Sequence, residues 1–266
     1  MLRSGYGRRS AFARSAIASF NPLSLFVSGE QGVWYDPSDF ANMFQDSAGT
    51  TPVTAVGQPV GKILDKSGRG NHALQATTAN RPVLQQDGAG RYYLAFNGTN
   101  SSLATAGNVD LTGTAQVSVF AGVRKLSDAA RGLLVELGNA LTSNGFQINA
   151  PSAAATSNYT FLSAGSTQIT ATATPFAAPL TSVITGQGDI AAPSNTIRVN
   201  GAQVASNPAS QGSGAFSNNP IYIGARGGSS LFFNGNLYGL IVRGATSNAS
   251  QIARAEMFMN SKTGAY

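Results

Sequence analysis

From residue 91 onward, apolar and polar residues alternate with a period of two. In "RYYLAFNGTN", Tyr92, Leu94 and Phe96 fall on one face, and in "AQVSVFAGVRK" so do Val117, Val119, Ala121 and Val123. Period two is the signature of a strand whose two faces meet different environments. "NTIRVNGAQVA" places Ile197 and Val199 before Asn200-Gly201, then resumes towards Val204. Asn-Gly is the preferred two-residue hairpin turn, since both positions take positive φ, so a hairpin is predicted here. "PIYIGARG" and "GNLYGLIVRG" end the series. In the latter, strict alternation puts Leu237, Gly239 and Ile241 on one side and Tyr238, Leu240 and Val242 on the other, a strand covered on both faces.

The Ala/Thr-rich run "SAAATSNYTFLSAGSTQITATATPF" alternates polar with small residues, as peripheral strands do. Before residue 91, "GVWYDPSDFANMFQD" reads as strand end, turn and a short helical turn, with Asp39 placed to meet first-turn N–H groups. One helix is predicted, over residues 246–262: Ser247 or Asn248 is the N-cap, Ile252, Ala255 and Met259 form a narrow apolar stripe, and Gly264 lies past the end. Short strands divided by Gly, Asn, Ser and Pro give an all-β sandwich or barrel. The chain shows neither a repeat of fixed period nor a domain linker.

Composition narrows the function. Of 266 residues, 42% are hydrophobic but only 11% are charged, against roughly 25% in an average soluble domain. The polar surface must therefore be built from amides, hydroxyls and glycine. Net charge is +6, and Arg3, Arg8, Arg9 and Arg14 precede the first acid, Glu30. Without those four the chain has 13 basic and 11 acidic residues. A basic arm on a nearly neutral body does not make a nucleic-acid-binding face, and sequence-specific nucleic-acid binding is not expected. The first twenty residues, rich in Arg and Ser and free of acids, also have the character of a targeting peptide, with a twin-Arg pair at Arg8-Arg9. The run that follows is broken by Asn21-Pro22, and a retained arm is the reading taken. No run of 18 apolar residues predicts a membrane-spanning helix.

Chemistry is sparse. "LDKSGRGNHALQA", residues 64–76, holds the single histidine, but it lacks the G-K-[ST] of a phosphate loop and leads into a β-like segment. With one His and no Cys, a zinc site would rest on carboxylates, which is not zinc's habit. Glycoside hydrolysis needs two carboxylates about 5–9 Å apart. Glu30, Glu136 and Glu256 are far apart in sequence, and Glu136 in "GLLVELG" has no acid two or four positions away. Asp36 and Asp39 in "DPSD" fit turn and cap chemistry better. No Ser stands in a nucleophile elbow that His72 could serve. No catalytic residue, metal or cofactor is assigned.

The segments "LDKSGRGNHALQA", "YYLAFNGTNSSLAT", "VSVFAGVRK", "IRVNGAQV" and "IYIGARGGSSLFFNGNLYGLIVR", followed by a short helix, resemble in order the concanavalin A-like, laminin-G-like jelly-roll domains, across roughly residues 60–262. The lead-in "GVWYDPSDFANMFQDSAGTTPVTAVGQPVGKILDKSGRGNHALQATTANRPVL" resembles that of tailed-bacteriophage virion proteins carrying such domains. The resemblance implies an all-β, concanavalin A-like jelly-roll sandwich over residues 30–266, with lead-in turns and a hairpin over 30–84, behind an extended basic arm over 1–29. It implies residues 64–76 to be a strand, a Gly-rich turn opened by Asp65, and a strand resuming at His72 to Leu74. It further implies a structural virion protein that displays a lectin-like domain on the tail, a fibre or the capsid, anchored through Arg3, Arg8, Arg9 and Arg14 to other virion proteins and oligomeric within the particle. The alternative is a receptor-binding module for host surface polysaccharide, and a depolymerase is the weaker third reading. Calcium occurs at the rim of many such domains, but no D-x-[DN]-x-[DN] loop is present here. Sugar binding needs exposed rings beside hydrogen-bonding groups, and Trp34, Tyr35, Tyr93, Tyr159 and Phe233 are the candidates. Against them stands strand alternation, which turns one member of each aromatic pair inward.

Overall fold

A computed structural model describes residues 20–140 and 142–266. The anchor candidates Arg3, Arg8, Arg9 and Arg14 lie outside the described residues. The body is a sandwich of two antiparallel sheets. The first runs from Ala202–Asn207 through Ser194–Val199, Leu180–Asp189, Gln116–Lys125, Asn234–Arg243 and Tyr92–Asn97 to Val83–Gln86. Gly32–Tyr35 also pairs with the second half of Asn234–Arg243. The second sheet has nine strands: Gln168–Ala173, Tyr159–Ala164, Gly145–Asn149, Leu133–Leu137, Ile221–Ile223, Leu103–Thr105, Ala73–Leu74, Lys62–Ile63 and Met43–Phe44. This is the lectin-like jelly-roll architecture.

Alternation decides what the two sheets bury. Val117, Val119, Ala121 and Val123 meet Leu94 and Phe96 in one core with Val135, Ile148, Phe161, Ile221 and Ile223 of the facing sheet. The Asn200-Gly201 turn forms as predicted, with φ of 51° and 80°. Strand Asn234–Arg243 departs from the predicted pattern. Its register against Gln116–Lys125 slips between Leu237 and Gly239, a β-bulge at Tyr238. The extra residue moves Leu237 to the side of Leu240 and Val242 in the main core, while Ile241 faces outward beneath the helix. In the Ala/Thr-rich run, Gln168–Ala173 is the edge strand expected. Tyr159–Ala164 next to it carries Tyr159 and Phe161 into the core.

The helix spans Ala249–Thr263. Asn248 and Gln251 form a capping box, and Gly264 closes it in the left-handed region at φ 58°. Ala255 and Met259 pack on Phe120, Val183 and Ile241 of the first sheet's outer face. Gly122 lets the helix approach, since a Cβ there would stand 2.7 Å from Thr263 Cγ2. Leu25, Phe26 and Trp34 complete this second cluster, and Phe20 packs against it. The body therefore includes the chain from Phe20, ten residues earlier than the boundary expected at Glu30, because Leu25 and Phe26 are buried. Asp39 precedes the 3-10 turn Phe40–Asn42 without capping its backbone; its carboxylate is drawn to Lys66 and the Asn42 amide instead.

Residues 64–76 are a turn organised around Asp65 that leads into the strand Ala73–Leu74; the preceding strand, Lys62–Ile63, ends before Leu64, and the second begins one residue after the expected His72. Its carboxylate accepts from the N–H groups of Trp34 (2.9 Å), Ser67 (2.9 Å) and Asn71 (3.1 Å) and from the Ser67 hydroxyl (2.7 Å). His72 Nδ1 accepts from the Asp65 N–H at 3.0 Å, and Arg69 donates to the carbonyls of Glu30 and Phe26. The histidine is a turn residue, and the loop fastens the lead-in to the body.

Candidate functional site on the second sheet

Of the five aromatic candidates, the structure buries four. Trp34 lies under the helix, edge-on to Phe258, with Lys66 Nζ 4.8 Å from its ring centroid. The Tyr35 hydroxyl donates to the Asn71 carbonyl inside the main core. Tyr159 is fully buried against Phe176, and Phe233 against Phe96. A ring with no open face cannot stack on a sugar, so these four are packing residues. Tyr93 alone stays half-buried, on the first sheet's outer face beside Tyr238 at 5.2 Å.

All eleven carboxylates in the chain are committed. Glu30 pairs with Arg243, Asp36 with Lys262, Asp39 with Lys66, Asp87 with Arg91, Asp128 with Lys125, Glu136 with Arg226, and Glu256 with Arg198. Asp46, Asp65, Asp110 and Asp189 hold turns through backbone N–H groups. Among the described residues no three His, Asp or Glu gather as metal ligands, and no helix is long and apolar enough to cross a membrane. A polar cavity of about 350 Å³ opens where the helix end meets Arg91 and Tyr92. Its cations are already occupied, Lys262 by Asp36 and Ser38 and Arg91 by Asp87.

The second sheet's outer face is different. Cross-strand pairing sets Thr170, Leu162, Gln147, Glu136, Tyr222, Ala104, Leu74, Lys62 and Phe44 in one row across the sheet. At the centre, Glu136 is fully buried beneath Arg226, which reaches it at 2.9 and 3.2 Å and donates to Gln147 Oε1 at 2.7 Å. Arg226 stands on the turn that follows Ile221–Ile223. Gly224, at φ 78° and with no room for a Cβ against the Phe96 ring, directs the chain there. Beside this group, Arg131 Nε donates to Asn149 Oδ1 at 3.1 Å, and Asn149 Nδ2 to Thr160 Oγ1 at 2.9 Å. Burial, then repulsion from Arg226, push the Arg131 guanidinium's pKa down, with only Glu136 opposing. Tyr222, half-buried, adjoins Glu136 in the row, and its hydroxyl has no partner among the described residues. The result is a flat face of fixed planar donors and acceptors bordered by a ring.

Of these residues the sequence reading weighed only Glu136, as an acid without a catalytic partner nearby, although two signals of the face were present. A glutamate inside "GLLVELG" requires a buried cation, and Tyr222 between two core isoleucines must face outward.

No protein-family model matches the chain, and no curated protein matches it significantly. Solved structures do. The botulinum neurotoxin serotype G binding domain matches at TM-score 0.56 and 12% identity, over 75% of this chain and 49% of that one. A botulinum neurotoxin type C structure, described by cell entry dependent on two ganglioside molecules, matches at 0.52 and 10%, over 76% and 49%. The Trypanosoma rangeli sialidase bound to the inhibitor DANA matches at 0.52 and 11%, over 85% and 32%. The chain spans about half the length of the two neurotoxin structures. Identity this low establishes the fold alone: a lectin-like β-sandwich.

Proposed function

We propose that this chain is a glycan-binding module presented on a tailed-phage particle, with the outer face of the second sheet as its binding surface. The observation that carries the reading is the Tyr222 ring set beside the Arg226–Glu136–Gln147 group. A sugar offers an apolar ring face edged by hydroxyls, and a half-buried, outward-facing aromatic next to rigid amides and guanidinium is complementary to it. The ganglioside dependence described for one structural neighbour agrees with this reading. Presentation on a virion rests on the lead-in resemblance and on the acid-free arm with Arg3, Arg8, Arg9 and Arg14, which can order against carbonyl-rich or acidic neighbouring subunits. A depolymerase is not favoured, because the carboxylates are spent on ion pairs and turns.

A glycan array probed with the full chain tests the binding surface. Wild type binds, and Tyr222→Ala binds about tenfold or more weakly, as expected for a central aromatic contact, with thermal stability kept. A silent wild type, or equal binding by Tyr222→Ala, overturns the site. The particle reading has a separate test. Deleting residues 1–19 leaves a folded chain that no longer joins particles, and normal incorporation overturns it.

A further inference from the structure

We infer that the glycan bound at this face carries an acidic group, which Arg131 seats; this rests on the glycan-binding reading above. The group on the second sheet contains two guanidiniums and one carboxylate. Both oxygens of Glu136 receive Arg226. Arg131 has only the neutral Asn149 amide for its Nε, and its terminal nitrogens have no acceptor among the described residues.

The other cations without a carboxylate are accounted for differently. Arg69 and Arg81 spend their guanidiniums on backbone carbonyls, and Lys62 lies by the Phe44 ring. Arg124 and Arg254 extend into solvent. Arg131 is instead partly buried beside a like charge, and the depression of its pKa by burial and Arg226 reports the same imbalance. A carboxylate or sulfate on a sugar supplies the missing charge, and the guanidinium fork fits two oxygens of either group through two parallel N–H donors. The Asn149–Thr160 hydrogen bond fixes the acceptor that orients the Nε. The fork is thus set before any ligand arrives.

The test pairs uronate-, sialate- and sulfate-bearing glycans with their carboxyl-reduced or desulfated counterparts, measured against the full chain, Arg131→Gln and Tyr222→Ala. The acidic forms bind wild type more tightly, and Arg131→Gln loses about tenfold or more of that affinity. Arg131→Gln does not lose thermal stability, since it removes a repelled charge. Should it fail to fold, salt serves in its place: raising ionic strength from about 0.05 to 0.5 M weakens wild-type binding of the acidic forms alone. Neutral counterparts bound as tightly, with no effect of Arg131→Gln or salt, overturn the acidic inference and leave glycan binding standing. Silence towards both series overturns both.

Discussion

Glu136→Gln is a nearly isosteric change that removes one charge from the centre of the second sheet. Glu136 is fully buried, and Arg226 meets it through contacts of 2.9, 3.2 and 3.2 Å. At an effective dielectric of about 20, unit charges about 4 Å apart attract by about 4 kcal/mol. Glutamine keeps one acceptor for Arg226, which offsets about 1 kcal/mol. The remainder, about 3 kcal/mol, lies at the lower end of the cost of breaking a buried pair. For a chain of this size that lowers Tm by about 6–12 °C. Urea titration measures it directly, and Arg226→Gln completes a double-mutant cycle. The double variant should lose about 2 kcal/mol less than the two single losses added together, because it leaves no orphaned charge. Glu136→Gln within about 1 kcal/mol of wild type, or strict additivity, would refute the claim that Glu136 balances the guanidinium.

Asp65→Ala strips acceptors from three backbone N–H groups and the Ser67 hydroxyl. It should cost about 3 kcal/mol or more by urea titration, with Asp65→Asn intermediate; a loss under about 1 kcal/mol would show that the turn holds without its carboxylate. Acid should unfold the protein through Glu30, Asp39 and Asp87. Burial raises each pKa, but this is outweighed for Glu30 by Arg243 and nearby N–H groups, for Asp39 by Lys66 and Asn42, and for Asp87 by the Arg91 backbone and side chain, so all three end below their ordinary values of 4.5, 3.8 and 3.8. A depressed folded-state pKa gives stability that is complete above the ordinary value and lost as pH falls through the folded one. Stability should thus level off above these values and fall below them, and Glu30→Gln should flatten the acid limb; an unchanged limb would exclude Glu30.

The sandwich was legible because burial on one face writes period two into the sequence, as Val117 to Val123 show. The helix was legible through its caps, and the Asn200-Gly201 turn through its φ requirement. The phase of Asn234–Arg243 was not, since a bulge inserts a residue without any compositional mark. Exposure of aromatic rings was legible only in part. Alternation correctly sets Tyr92 towards the core and Tyr93 away from it, but Trp34 is hidden by a helix more than 200 residues distant in sequence. The face built by Arg131, Glu136, Gln147 and Tyr222 unites three separate segments, so no local window contains it.

Charge is distributed unevenly between the two sheets, and this separates the contributions to binding. Five pairs lie about the first sheet and the segments packed on it. Glu30–Arg243 and Glu256–Arg198 tie the lead-in and the helix to its strands, and Asp36–Lys262 joins the lead-in to the helix. Asp39–Lys66 joins the lead-in to the turn after Lys62–Ile63, and Asp87–Arg91 closes a hairpin. From residue 137 to 188 no charged side chain occurs, so Gly145–Asn149, Tyr159–Ala164 and Gln168–Ala173 present amides, hydroxyls and apolar groups only. Contacts made by such groups and by the Tyr222 ring are short-ranged and little affected by ionic strength. Arg131 acts through net charge, which salt screens over about 10 Å at 0.1 M. The cost of Tyr222→Ala should therefore be the same in low and high salt, whereas the cost of Arg131→Gln should shrink as salt rises. If both costs shrink together, the ring and the guanidinium do not act as separate contacts, and the division of the face into a neutral platform and a charged margin is wrong.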